Sequence, residues 1–166
     1  MNEPPRRVNY VAGRLLTAAD LEADQAYHRR MRYLTNRLHG YGVATGLDVT
    51  LAGGQVEVGP GVAIDPLGRE LVLTEPARVP LGPARGGRAG RVLVLVLLWG
   101  EDEETPVPVP GEATAASWVV ERPRLLLLPL DEQPGEAVTL ARLHGGRRDI
   151  TLDVSVRRRW GRCEHD

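Results

Sequence analysis

The side chains in this 166-residue sequence that could do chemistry are few and scattered. Asp65 and Glu70 belong to its most patterned segment, Pro60-Gly61-Val62-Ala63-Ile64-Asp65-Pro66-Leu67-Gly68-Arg69-Glu70. Two carboxylates about 5–10 Å apart across a cleft would suit the acid and base of a hydrolase. The pattern favours a different use. An Asp that opens a turn accepts hydrogen bonds from the amides behind it, and a following Gly supplies the positive φ that the turn needs. Pro60, Gly61, Asp65, Gly68 and Arg69 are therefore read as a structural turn, with Arg69 and Glu70 on opposite sides of the outgoing strand.

The other constellations fall short of a site. Asp24 and His28 share a helix face, but a metal needs a third ligand and none is in view. Cys163-Glu164-His165-Asp166 sets four ligand types side by side, where adjacent side chains rarely converge on one ion. Ser117 and Ser155 lack the flanking Gly of a nucleophile elbow. The Gly-rich stretch 82–90, GPARGGRAG, has no Lys-Ser/Thr after it to make a phosphate loop. Arg157-Arg158-Arg159 beside Trp160 pairs cations with a stacking ring, as a nucleic-acid site would. So short a run reads better as a solvated tail or a protein contact. The sequence thus predicts no catalytic residue, no cofactor and no metal site, in a protein that is not an enzyme.

The elements that carry these residues follow from capping and periodicity. Thr17-Ala18-Ala19-Asp20 resembles a capping box with Asp in the usual place of Glu, and predicts a helix from there to about His39. Tyr27, Met31, Leu34 and Leu38 recur at steps of four and three, which makes one apolar seam on a charged rod. Asp20, Glu22 and Asp24 precede Arg29, Arg30, Arg32 and Arg37, an order that complements the helix dipole. Gly40 and Gly42 end the helix. The preferred reading lays the seam on the domain's own sheet; the alternative matches it to the same stripe in a sister chain. It is too short for a sustained coiled coil.

Past Gly42 the period drops to two. Leu47, Val49 and Leu51 alternate with polar residues, Gly53-Gly54 turns the chain, and Val56 and Val58 return, which predicts a hairpin. Short strands follow at 62–64, 71–73 and 77–81. Residues 82–90 read as a loop and 92–98 as a strand buried on both faces. Residues 101–117, acids and then alternating Pro and Val, predict an exposed and partly polyproline-like loop. Strands are expected at 118–120 and 125–128, and 137–143 pairs with 150–156 through Gly145-Gly146. The fold class is α+β and mainly β, with one N-terminal amphipathic helix beside a sandwich or barrel-like body of short antiparallel strands. The domain scheme is a flexible arm over 1–7, an extended lead-in and helix over 8–43, a β-rich body over 44–156 and a mobile tail over 157–166.

Composition excludes several classes. A net charge of -1 gives no bulk drive toward nucleic acid or an anionic membrane. The single Cys163 cannot form an intramolecular disulfide. MNEPPRRVNYV lacks the apolar core of a secretory signal, and the apolar run 92–99 is too short to cross a bilayer as a helix. These features predict cytoplasmic synthesis without a signal peptide and without membrane insertion.

As a set, the motifs resemble a known family. The opening Val11-Ala12-Gly13-Arg14-Leu15-Leu16-Thr17-Ala18-Ala19-Asp20-Leu21 leads to a helix that carries Gln25 and Tyr27 and closes in Asn36-Arg37-Leu38-His39-Gly40-Tyr41-Gly42-Val43. Gly46-Leu47 and Val49 then lead to Val58, Pro60-Gly61, Ala63, Asp65 and Gly68-Arg69-Glu70. Over residues 8–75 this series is similar to small proteins encoded with contractile injection systems and phage-tail-like particles, of the baseplate or fibre-attachment region. The remainder is similar only loosely, closing in Asp153-Val154-Ser155-Val156-Arg157. The family lends no catalytic residue. The resemblance implies a structural or assembly subunit within such a particle, partnered by other tail and baseplate proteins. Because such particles are cyclically symmetric, it also implies a homo-oligomer, trimeric or hexameric. Binding would fall to Tyr27, Met31, Leu34, Leu38, Tyr41 and Trp160, with Trp99 or Trp118 where exposed, since aromatic residues dominate interface hot spots. Two other functions stay open: a sugar- or cell-surface-binding module, which needs exposed aromatics and an open polar groove, and a hydrolase built on Asp65 and Glu70.

Overall fold

The computed structural model describes residues 4–81, 92–109, 112–145 and 150–161. Helix α1 (Ala18–Leu38) begins at a reciprocal cap: the Thr17 hydroxyl accepts from the Asp20 N–H, and the Asp20 carboxylate accepts from the Thr17 N–H at 3.0 Å. Hydrogen bonds donated to it by the Thr17 N–H and hydroxyl, reinforced by Arg14, hold the Asp20 carboxyl below its ordinary value. Ahead of the helix the chain folds back along it, with Arg14 paired to Asp20. Desolvation and the neighbouring Asp24 carboxylate push the Tyr10 phenol up.

The strands form four antiparallel sheets. β1 (Gly42–Gly46), β4 (Gly61–Ile64) and β5 (Glu70–Leu73) make one, in the order β1-β4-β5. β2 (Val49–Ala52), β3 (Gln55–Val58) and β6 (Ala77–Pro80) make the second, in the order β2-β3-β6. The third, β10-β7-β11-β12, joins β7 (Leu93–Leu98), β10 (Arg124–Pro129), β11 (Val138–Gly145) and β12 (Ile150–Asp153). β8 (Glu101–Val109) and β9 (Glu112–Glu121) pair as a two-stranded ribbon. Among the described residues the protein is mainly β with one α-helix, and no sheet closes into a barrel.

The three larger sheets share one core. Val43, Ala63 and Leu71 enter it from the first, Val49, Val56 and Val58 from the second, and Leu95, Leu97, Val138 and Leu140 from the third. β7 is covered on both faces: Leu95 and Leu97 face the main core while Val94 and Val96 pack with Ala137. Burying each such side chain contributes about 1.5–3 kcal/mol. The β body therefore has its own core, and none of the α1 residues is buried in it.

Residues 101–109 and 112–117 are not the loop expected from the acids and prolines of this stretch. They belong to β8 and β9, which pair from Glu101 opposite Glu121 to Val109 opposite Glu112. Pro106 and Pro108 are tolerated because β8 is an edge strand, where a missing N–H can face solvent. Arg122 reaches Asp102 and Glu104 across the ribbon, at 3.5 Å for Asp102, so part of the negative charge is neutralised.

Residues 157–161 are not a mobile tail either; they form a strap over the end of the helix. The Arg157 side chain is 8% exposed, and its Nη2 donates to the carbonyls of Gly46 at 3.0 Å and Leu47 at 2.7 Å. Those carbonyls point to one side because Gly46 and Leu47 are both left-handed, at φ 58 and 57. A Cβ on Gly46 would lie 2.2 Å from the Pro60 carbonyl oxygen, so only glycine fits. Leu47 bears a strain of about 1–2 kcal/mol and is fully buried. Burial lowers the pKa of the Arg157 guanidinium, Arg159 adds to that shift, and Asp48 opposes it. Beyond Arg157, the Val43 N–H donates to the Arg158 carbonyl at 2.8 Å and the Trp160 N–H to the Val43 carbonyl at 3.1 Å. The Trp160 indole N–H donates to the Asn36 carbonyl at 3.3 Å, and its ring meets His39 edge-on at 5.6 Å. The expected loop at 82–90, the turn residue Gly146 and the Cys163-Glu164-His165-Asp166 end lie outside the described residues.

Arg157→Leu should lower stability by about 2 kcal/mol, because two buried carbonyls lose their donor. Urea unfolding measures that loss, and faster hydrogen exchange at the Val43 amide would show that the strap has lifted.

Candidate assembly surface

The patterned turn is where the helix meets the body. Asp65 is fully buried. Its Oδ1 accepts from the N–H groups of Leu67 and Arg69, both at 2.9 Å, and its Oδ2 accepts from the Arg69 Nε at 2.6 Å. Gly68 is left-handed at φ 89, and a Cβ there would lie 2.2 Å from the Tyr33 carbonyl oxygen. The helix backbone thus rests on a glycine. Arg69 continues outward to Glu136 at 2.9 Å and over the Trp99 ring at 5.3 Å. On the other side of the strand, Glu70 accepts from Asn36 Nδ2 at 2.7 Å and Arg32 Nε at 2.8 Å. Asn36 also donates to the Gly68 carbonyl at 2.9 Å. Asp65 is closed to solvent and spent on donors, while Glu70 faces the helix. The two carboxylates share no cleft, so the hydrolase geometry is absent.

This docking decides where the apolar seam points. A helix advances about 100° per residue, so Arg29, Arg32, Tyr33 and Asn36 lie opposite Tyr27, Met31, Leu34 and Leu38. The first group touches the body. The seam therefore does not lie on the domain's own sheet, contrary to the preferred sequence reading. The physical reason is that the three sheets close their own core and offer the helix a polar turn. Tyr27, Met31 and Leu34 are half-buried and Leu38 is 81% exposed. Tyr10, Val11, Leu15, Leu16 and Leu21 add further exposed apolar side chains before and at the start of the helix.

The remaining sequence candidates scatter. Tyr41 lies half-buried under the Arg158 guanidinium at 4.3 Å, and Trp160 is held in the strap. Trp99 is half-buried against the core, whereas Trp118 on β9 is 68% exposed. His28 lies 3.7 Å from Asp24. Among the described residues no three His, Cys, Asp or Glu side chains gather as a metal site would require.

Sequence reasoning missed a cleft of about 390 Å³ between α1 and the body. Tyr33, Leu34, Leu67 and Trp99 give it apolar walls, and Arg29, Arg37 and Arg69 stand around them. Glu101 lies 4.0 Å from Arg29 there. Burial, with Glu121 adding to it, pushes the Tyr33 phenol up. The walls come from three distant stretches of chain. The one local signal was the run of arginines on the second half of the helix.

No family model and no curated protein matches the chain. Solved structures match over nine-tenths of it. The crystal structure of TssK superposes with a TM-score of 0.56 at 18% identity, covering 90% of this chain and 41% of that one. A chain of the baseplate complex from the type VI secretion system gives 0.54 at 14% identity, covering 91% and 58%. A chain of the type VI TssK-TssF-TssG baseplate subcomplex seen by cryo-electron microscopy gives 0.58 at 13% identity, covering 90% and 60%. The chain thus spans from 41% to 60% of the length of these chains. At such identities the likeness is one of fold: the architecture described above is shared with type VI secretion baseplate proteins.

Asp65→Asn should cost about 3 kcal/mol, because Arg69 loses the charge it is buried against. Glu70→Gln, whose partner Arg32 is half exposed, should cost about 1 kcal/mol or less. Chemical denaturation of the two variants side by side checks the contrast.

Proposed function

We propose that this chain is a non-enzymatic structural subunit of a contractile injection particle, placed in its baseplate or fibre-attachment region. The observation that carries the reading is the posture of α1. Helices in proteins owe most of their stability to packing of an apolar face, yet α1 docks by its polar side, with Leu34 at the edge of the cleft and Leu38 at the end of the seam 81% exposed. Such a seam fits contact with another chain. The fold shared with type VI baseplate proteins supports the setting, and the partners are then other baseplate subunits. Self-association into a trimer or hexamer belongs to the same reading, since closed rings are the usual form of such symmetry.

A tagged copy expressed in the native host, purified gently and examined by negative-stain electron microscopy and mass spectrometry, tests this. Sheathed tubes or baseplates carrying sheath and tube proteins are expected. A clean small oligomer without tail proteins, from cells that are assembling particles, would overturn it. Leu38→Glu should leave stability within about 0.5 kcal/mol, as for other surface changes, while removing the co-purifying subunits.

Trp118 favours a second reading, a sugar- or cell-surface-binding module. Its exposed ring shares a ribbon face with Asp102, Glu104 and Arg122. Glycan-array binding that Trp118→Ala abolishes would support it, and an array without signal would remove it.

A further inference from the structure

We propose that the cleft beside α1 is a socket for the β8 and β9 ribbon of a second copy of this chain. The cleft has an apolar floor, chiefly Leu34, Leu67 and Trp99, and arginines at its rim. Glu101 is the one acidic residue among its walls. An occupant should therefore bring an apolar strip edged with carboxylates.

The ribbon carries such a strip. Its register sets Glu101 opposite Glu121 and Glu103 opposite Val119, and directly opposed residues share a face. One face thus bears Glu101, Glu103, Val119 and Glu121. Val119 is 56% exposed, and Val107, further along the same face, is 38% exposed. On the other face Asp102 and Glu104 already meet Arg122, and Asp102 also faces Arg124. Glu101, at the ribbon base, already meets Arg29, while Glu103 and Glu121 flank the exposed valine and suit the arginines around the apolar floor. An isolated two-stranded ribbon is marginally stable in water, and among the described residues β8 and β9 hydrogen-bond to no third strand. A partner surface would hold the ribbon.

The ribbon cannot enter its own cleft, because Glu101 at its base is already part of the wall. The lead-in segment of another copy is a poorer occupant, since Arg6, Arg7 and Arg14 would oppose the arginine rim. The contact joins unlike surfaces, so it builds rings when the rotation closes and chains when it does not. It rests on the self-association in the function proposed above, and of the helix seam it uses Leu34 alone.

Charge reversal tests it on the full chain by sedimentation velocity at several concentrations. Arg29→Glu with Arg37→Glu gives an acidic socket, and Glu103→Arg with Glu121→Arg gives a basic ribbon. Wild type should self-associate, each reversed protein alone should stay monomeric, and their mixture should regain complexes with both chains in equal number. Circular dichroism establishes that each variant is folded. Should a reversal unfold the chain, Arg37→Gln and Glu103→Gln replace it, each expected to weaken association about tenfold. A monomeric wild type, a reversed variant that assembles like wild type, or a mixture that stays monomeric would each overturn the socket. A monomeric wild type that still co-purifies with baseplates would overturn the socket and leave the assembly role standing. Variants that assemble unchanged would move self-association to the helix seam.

Discussion

A carboxylate can be buried only when it is paired and hydrogen-bonded, and Asp65 meets both conditions within its own turn. Two amides and one guanidinium satisfy it. That closure fixes the left-handed Gly68 against the helix backbone, sends Arg69 toward Glu136 and Trp99, and sends Glu70 toward Arg32 and Asn36. One turn thereby sets the relation of the helix, the first sheet and the segment leading into β11. The strap adds a second fixture at the end of the same helix, where Trp160 donates to the Asn36 carbonyl. Asn36 is held from both sides, by its side chain at the turn and by its carbonyl at the strap.

Holding a helix by its polar side inverts the usual arrangement of an amphipathic element. The core does not need α1, since the three sheets bury Val, Leu and Ala among themselves. The helix is free to present Leu38 and the residues in line with it to another chain. The ribbon also stands apart from that core: its two strands pair with each other, and Trp118 and Val119 on β9 are exposed.

Much of this was legible in the sequence because it is local. The cap at Thr17 and Asp20, the glycines after His39, the period-two strands at 49–58 and the Asp65 turn are each specified within a few residues. The ribbon was not, because acids and prolines describe a solvated chain, while the pairing of Arg122 with Asp102 and Glu104 is a cross-strand effect. The strap was not, because Arg157 is held by backbone carbonyls at Gly46 and Leu47, far away in sequence, which carry no side-chain signature. The seam was visible as a stripe, but periodicity says nothing about what a stripe faces. Its direction depends on the polar contacts of Arg32, Tyr33 and Asn36 with the turn.

The outward seam is best probed with a photo-cross-linking residue placed at position 38 in the assembled material, and a control at Leu130, exposed elsewhere on the body. Cross-links from position 38 to another chain, with none from position 130, are what an assembly subunit presenting its helix should give. Position 38 remaining unlinked in intact particles, or linking only within its own chain, would contradict that role for the helix.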